Sequence, residues 1–225
     1  MKKSKISITL NILIFILTAF ATTCMIMGLN LFSRTEAVRA FTASNLLAFK
    51  YFTVDSNVFA GLISLAYVIY KFTASGKNHS KLPRAFYILK LAATTGVTLT
   101  MMVTVFYLAP TSNGNFLGYF KNSNFFMHLI TPLLCIISFI FFEAAEPQKL
   151  AMSIPGIIPM MLYSFFYTPN VLLHLDNGKV DRTYDWYNFL AGGAQTVWIV
   201  VPILYCITWI FALGLWVLNR KLAKK

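Results

Sequence analysis

Few residues in this chain have chemistry to offer, and two of them lie in apolar surroundings. Thr53 falls in FKYFTVDSNVF, residues 49–59, and His128 in NSNFFMHLITPLLCIISF, residues 122–139. A neutral imidazole can take up a proton near pH 7. A threonine hydroxyl within its reach becomes a nucleophile. Such a pair would be a nucleophile and its base. Cys135 is a rival nucleophile on the same face as His128. It lies seven residues further on, about 10 Å along a helix, which is too far for direct proton transfer.

Polar neighbours crowd Thr53. At helical spacing Lys50, Thr53 and Asn57 share one face, and Ser64 continues it. Asp55 points almost the opposite way, two steps of about 100° from Thr53. Lipid accepts neither face easily, because a mid-span Asp costs about 2.5–3.5 kcal/mol. Two readings stay open for Thr53 with Asn57: hydrogen bonding between helices, or a reactive site. For Ser56 and Ser64 interhelical hydrogen bonding is the expectation. Lys50 is expected to snorkel outward. Asp55 is expected to partner a cation, with Lys50 or Lys90 as candidates. His128 is either a satisfied core residue or a base. No metal is expected: His79, His128 and His174 fall in three different regions, and no HxxxH or HExxH pairing occurs. There is no glycine-rich phosphate loop and no GxSxG elbow, and no cofactor is expected.

The elements that must hold these residues are helices in lipid. Of 225 residues 58% are hydrophobic and 12% charged, and the mean hydropathy is +0.67. Soluble domains average about 25% charged residues. The expected fold is all-α: a polytopic membrane protein, one domain of six transmembrane helices, spanning about 7–32, 45–72, 83–109, 123–143, 152–168 and 194–219. Each run approaches the roughly 20 residues a span requires. The fifth is the shortest and carries Pro155 and Pro159, so a kink or break is expected there. The basic, then apolar N-terminus resembles a signal peptide, but its apolar run is long enough to span, so a retained signal anchor is expected. Cys24, Cys135 and Cys206 fall in separate spans and read as small apolar residues.

The net charge of +12 does not point to nucleic acid, because the charge falls in short loops. Lys2, Lys3, Lys5, Lys71, Lys77, Lys81, Arg84, Lys149, Arg220, Lys221, Lys224 and Lys225 lie on one side. Arg34, Arg39, Lys121, Lys179 and Arg182 lie on the other. The bias places both termini in the cytoplasm, in an integral cell membrane. Thr53 and His128 then fall roughly 8–12 Å below the outer end of their helices. The loop 168–193 is the largest on the outer side. It reads either as an interfacial Trp–Tyr belt or as a lid over a site.

With these residues in place the chain resembles the androgen-induced-gene family of six-span membrane proteins, in its bacterial branch. The marks are F-T-x-x-S-N on the second helix and H-x-x-x-P on the fourth. Here they read Phe52, Thr53, Ser56, Asn57, and His128, Pro132. Animal members are threonine hydrolases of fatty acid esters. The resemblance implies that Thr53 is the nucleophile and His128 its base, acting on a membrane lipid ester. Asn57 would orient the hydroxyl or help an oxyanion, and Pro132 would shape the helix near His128. Ahead of the sixth helix, DWYNFLAGG keeps only Tyr187, Phe189 and Leu190 of the family's usual run. The alternative is a small transporter or lipid-binding scaffold using Asp55, Lys50 and Lys90. The sequence leaves the oligomeric state open.

Overall fold

The computed structural model describes residues 2–29, 31, 45–73, 81–111, 115–145 and 149–223. Arg34, Arg39, Lys77, His79, Lys224 and Lys225 lie outside the described residues.

Six helices are long and apolar enough to cross a membrane. They are α1 (Lys2–Ile26), α2 (Phe52–Phe72), α3 (Arg84–Leu108), α4 (Ser123–Phe142), α5 (Leu150–Leu173) and α6 (Ala194–Leu222). They form an all-α bundle. Helix α3 is the central one: it packs on α2, α4, α5 and α6, while α1 packs on α2 and α4.

The sidedness of the residues is inverted relative to a water-soluble domain. Buried positions include Asn11, Asn57, Lys90, Thr95, Thr98, Thr104, His128, Ser138 and Glu143. Exposed positions include Leu62, Phe106, Leu162, Phe166, Trp198 and Ile210. An apolar outer surface with inward polar groups suits a lipid solvent, where polar side chains must find partners inside the protein. Small residues set the tightest approaches. A Cβ at Gly61 would meet Thr18 at 3.0 Å, and one at Gly156 would meet the Ala212 Cβ at 2.4 Å. Such contacts let helix backbones come close where no hydrophobic drive holds them together.

Several boundaries differ from expectation, each for a local reason. The second helix does not run unbroken from residue 45. Asn45–Lys50 forms a short 3₁₀ turn, Tyr51 is extended (φ −95°, ψ 129°), and α2 starts at Phe52. Thr53 is therefore in the first turn of α2. The face expected to join Lys50 to Thr53 and Asn57 is interrupted at Tyr51. The proline-bearing start of α5 winds as 3₁₀ helix over Leu150–Ile157 before α-helix takes over at Ile158. The expected irregularity at Pro155 is present there, but the span continues to Leu173, beyond the expected end at 168. Helices α3 and α4 each contain a π-turn, Thr104–Leu108 and Phe126–Ile130. Between α5 and α6 a two-residue hairpin forms, β1 (Leu175–Asp176) against β2 (Lys179–Val180). Its turn is Asn177–Gly178, both at positive φ, the pairing a tight hairpin prefers.

Candidate functional site

The π-turn in α4 decides how α2 and α4 meet. In it the Thr131 N–H bonds to the Phe126 carbonyl, five residues back. In an ordinary α-helix that N–H would serve Met127. The next residue, Pro132, has no N–H to give. The Met127 carbonyl thus loses its helical donor, and Asn57 supplies one from α2. Asn57 Nδ2 donates to Met127 O at 3.1 Å and to Thr53 O at 2.8 Å. One amide therefore ties the turn that carries Thr53 to the turn that carries His128.

Both residues are interior: Thr53 is 5% exposed and His128 fully buried. His128 Nδ1 lies 2.7 Å from the Tyr119 carbonyl. A carbonyl can only accept, so the proton of a neutral ring sits on Nδ1 and Nε2 carries the lone pair. That is the tautomer a general base needs. Phe120 packs edge-on against the ring.

The α5–α6 loop closes over Thr53. Tyr187 and Leu190 are buried, and the Tyr187 side chain lines the same small cavity as Phe52 and Thr53. Burial raises the Tyr187 pKa, and the nearness of Thr53 and Phe52 lowers it part of the way back. Tyr187 thus remains a neutral donor near neutral pH. Asp185 holds this segment in place. Its carboxylate accepts from Phe189 N (3.0 Å), Leu190 N (2.9 Å) and the Tyr167 hydroxyl. The centre of this loop packs inward, with Tyr187 against Tyr51 and Tyr163. Asp185 was not among the expected site residues, and its offset of four and five residues from the amides it binds was the available signal.

Two cavities adjoin Thr53's turn. The inner one, about 30 Å³, is lined by Thr53, Leu99, Thr104, Met160, Tyr187 and Phe189, among others. It has room for about one water. His128 does not line it. The outer one is a groove of about 660 Å³ between α2 and α5, lined by Lys50, Asp55, Ser56, Phe59, Leu162 and Asn170, among others. Phe52 and Tyr163 line both. Their rings meet edge to face at 5.3 Å, so this pair is the partition between them. Tyr163 donates to the Lys50 carbonyl (2.7 Å) and accepts from Trp186 Nε1 (2.9 Å).

The remaining residues fall as follows. Ser56 bonds Thr100 (2.9 Å) and the Thr53 carbonyl (3.2 Å), linking α2 to α3. Ser64 is 3.5 Å from Lys90 Nζ. The Lys50 ammonium lies over the rings of Tyr51 and Trp186, at 5.1 and 5.3 Å. Asp55 makes no ion pair among the described residues. Lys90, one of its two expected partners, is instead paired with Glu143 at 3.1 Å, deep in the other half of the bundle. Lys90 does not line the groove that Lys50 and Asp55 share. Cys135 packs with Ile14, Ala60, Ala93 and Val97. Asn57 cannot serve an oxyanion while its amide holds two carbonyls. Among the described residues no three His, Cys, Asp or Glu side chains are grouped to hold a metal ion.

No family model, curated protein or solved structure matches the chain.

Proposed function

We propose that this chain is an intramembrane hydrolase of acyl esters, a bacterial-branch relative of the androgen-induced-gene family, with Thr53 as nucleophile and His128 as base. The observation that carries the reading is the Asn57 bridge. It pins the Thr53 turn of α2 to the α4 turn of His128. The His128–Tyr119 contact, which leaves the basic lone pair on Nε2, adds to it.

In the reaction, His128 Nε2 takes the Thr53 proton as Oγ1 attacks the ester carbonyl carbon. The carbonyl oxygen becomes an oxyanion, and the Tyr187 hydroxyl beside Thr53 is the donor placed to stabilise it. Collapse breaks the ester C–O bond. The alcohol leaves with the proton from His128, and the acyl group stays on Thr53. A water then attacks the acyl-threonine, gives one proton to His128, and releases the fatty acid as that proton returns to Thr53. The small inner chamber holds no lipid as it stands. Rotation of Phe52 and Tyr163 would open it to the groove between α2 and α5, which supplies the route for an ester arriving from the bilayer. By the distribution of Lys and Arg both termini are cytoplasmic, and this site lies in the outer leaflet of the cell membrane.

The test is labelling by a lipid-tailed fluorophosphonate. Wild-type protein and Thr53→Ser are expected to label, whereas Thr53→Ala and His128→Ala are expected to lose labelling while eluting as folded protein in detergent. Labelling that survives both alanine changes overturns the reading.

A further inference from the structure

The groove between α2 and α5 carries two opposite charges that the hydrolytic reading does not use. Lys50 stands at its outer mouth, beside Trp186 and Asn170. Asp55 stands further along the same wall, on the first turn of α2. They are not paired with each other, since the Lys50 ammonium rests on the Tyr51 and Trp186 rings. Beyond Asp55 the lining turns apolar, with Phe59, Ile158 and Leu162. An ionised carboxylate in lipid is costly unless a cation answers it. The volume of about 660 Å³ falls within the roughly 300–1,000 Å³ of small-molecule sites.

We infer that this groove binds a zwitterionic membrane phospholipid, its phosphate on Lys50, its head-group ammonium on Asp55 and one acyl chain along Phe59 and Leu162. The order of the lining supports it: polar at the mouth, apolar beyond, as in an amphiphile. The two charges match the two charges of a phosphoethanolamine head in a way that a phosphoglycerol head, which carries no cation, does not. A basic residue at the interfacial end of a helix is a common head-group anchor. The inference rests on the groove's charges and shape and does not depend on the reactivity of Thr53.

The experiment is native mass spectrometry of detergent-released protein given equimolar phosphatidylethanolamine and phosphatidylglycerol with the same acyl chains. It is run in the Thr53→Ala background, so that turnover plays no part. The expected result is retention of the ethanolamine lipid by about fivefold over the glycerol lipid, the size of one partly exposed ion pair. Asp55→Asn is expected to abolish that preference. Lys50→Gln is expected to weaken retention of both lipids, and Leu162→Trp, which narrows the acyl end of the groove, to weaken both. Equal retention of the two lipids, a preference that survives Asp55→Asn, or unchanged binding in Leu162→Trp overturns the proposal. None of these outcomes bears on fluorophosphonate labelling, so the two readings fail separately.

Discussion

Asn57 shows how one side chain sets the relation between two others. Its two amide hydrogens go to the carbonyls of Thr53 and Met127, and the residue is fully buried. Losing such a donor leaves a buried carbonyl unsatisfied, at about 1–3 kcal/mol. Asn57→Ala is therefore expected to lower stability by about that amount in detergent and to reduce fluorophosphonate labelling. Asn57→Asp should do worse, because an ionised carboxylate has no hydrogen to donate and would face two carbonyl oxygens. Thermal unfolding of both variants checks the order, and an Asp variant as stable as wild type would exclude the bridge. Sequence spacing places Thr53 and Asn57 on one face, and that much was legible. It did not reveal that Asn57 serves backbone carbonyls, because the need for a donor arises in another helix. Asp55 opposite Thr53 was also legible: the two line different cavities. The partner of Lys90 was not, because Glu143 is remote in sequence and belongs to a different helix end.

The irregular turns matter more than the regular helices for where the reactive groups stand. In α4 the π-turn and Pro132 together deprive the Met127 carbonyl of its own helix's hydrogen bond, and α2 answers. Pro132→Ala restores an N–H at that position, which can reach Met127 or His128 and compete with Asn57. The expected outcome is a stability equal to or above wild type, as proline in a helix interior costs about 3 kcal/mol, together with slower fluorophosphonate labelling. Loss of stability with unchanged labelling would mean that the turn is not what couples the helices. The break at Tyr51 has a similar role in α2: it sets Lys50 apart from the Thr53 face and turns it onto aromatic rings. Hydropathy reveals the existence and order of all six spans, since each is a long apolar run. It is blind to a π-turn or an extended residue, because those depend on which backbone groups find partners after the helices have packed.

Polarity in this bundle concentrates at two levels, and only one of them adjoins Thr53. The other joins five of the six helices around Lys90 and Glu143. Glu143 Oε1 accepts from Lys90 (3.1 Å), Ser138 (2.7 Å) and Asn11 (2.9 Å). Lys90 also donates to Asn11 Oδ1 at 2.6 Å, Ser7 meets Tyr67 at 2.8 Å, and Asn219 donates to the Phe139 and Glu143 carbonyls. Lys90 and Glu143 are 2% and 0% exposed at their side chains. Removing one member of such a pair leaves a buried charge without its counter-ion, at about 3–5 kcal/mol. Removing both avoids that cost. Lys90→Met and Glu143→Leu are each expected to lower the unfolding temperature sharply, whereas the double variant should lose far less than the two effects summed. A double-mutant cycle in detergent measures this, and simple additivity would mean that the two charges do not hold each other. Because the groove and the Thr53 site lie in the other half of the bundle, the double variant is also expected to keep lipid preference and labelling. That outcome would separate the ion pair, which holds the helices together, from Lys50 and Asp55, which line the groove.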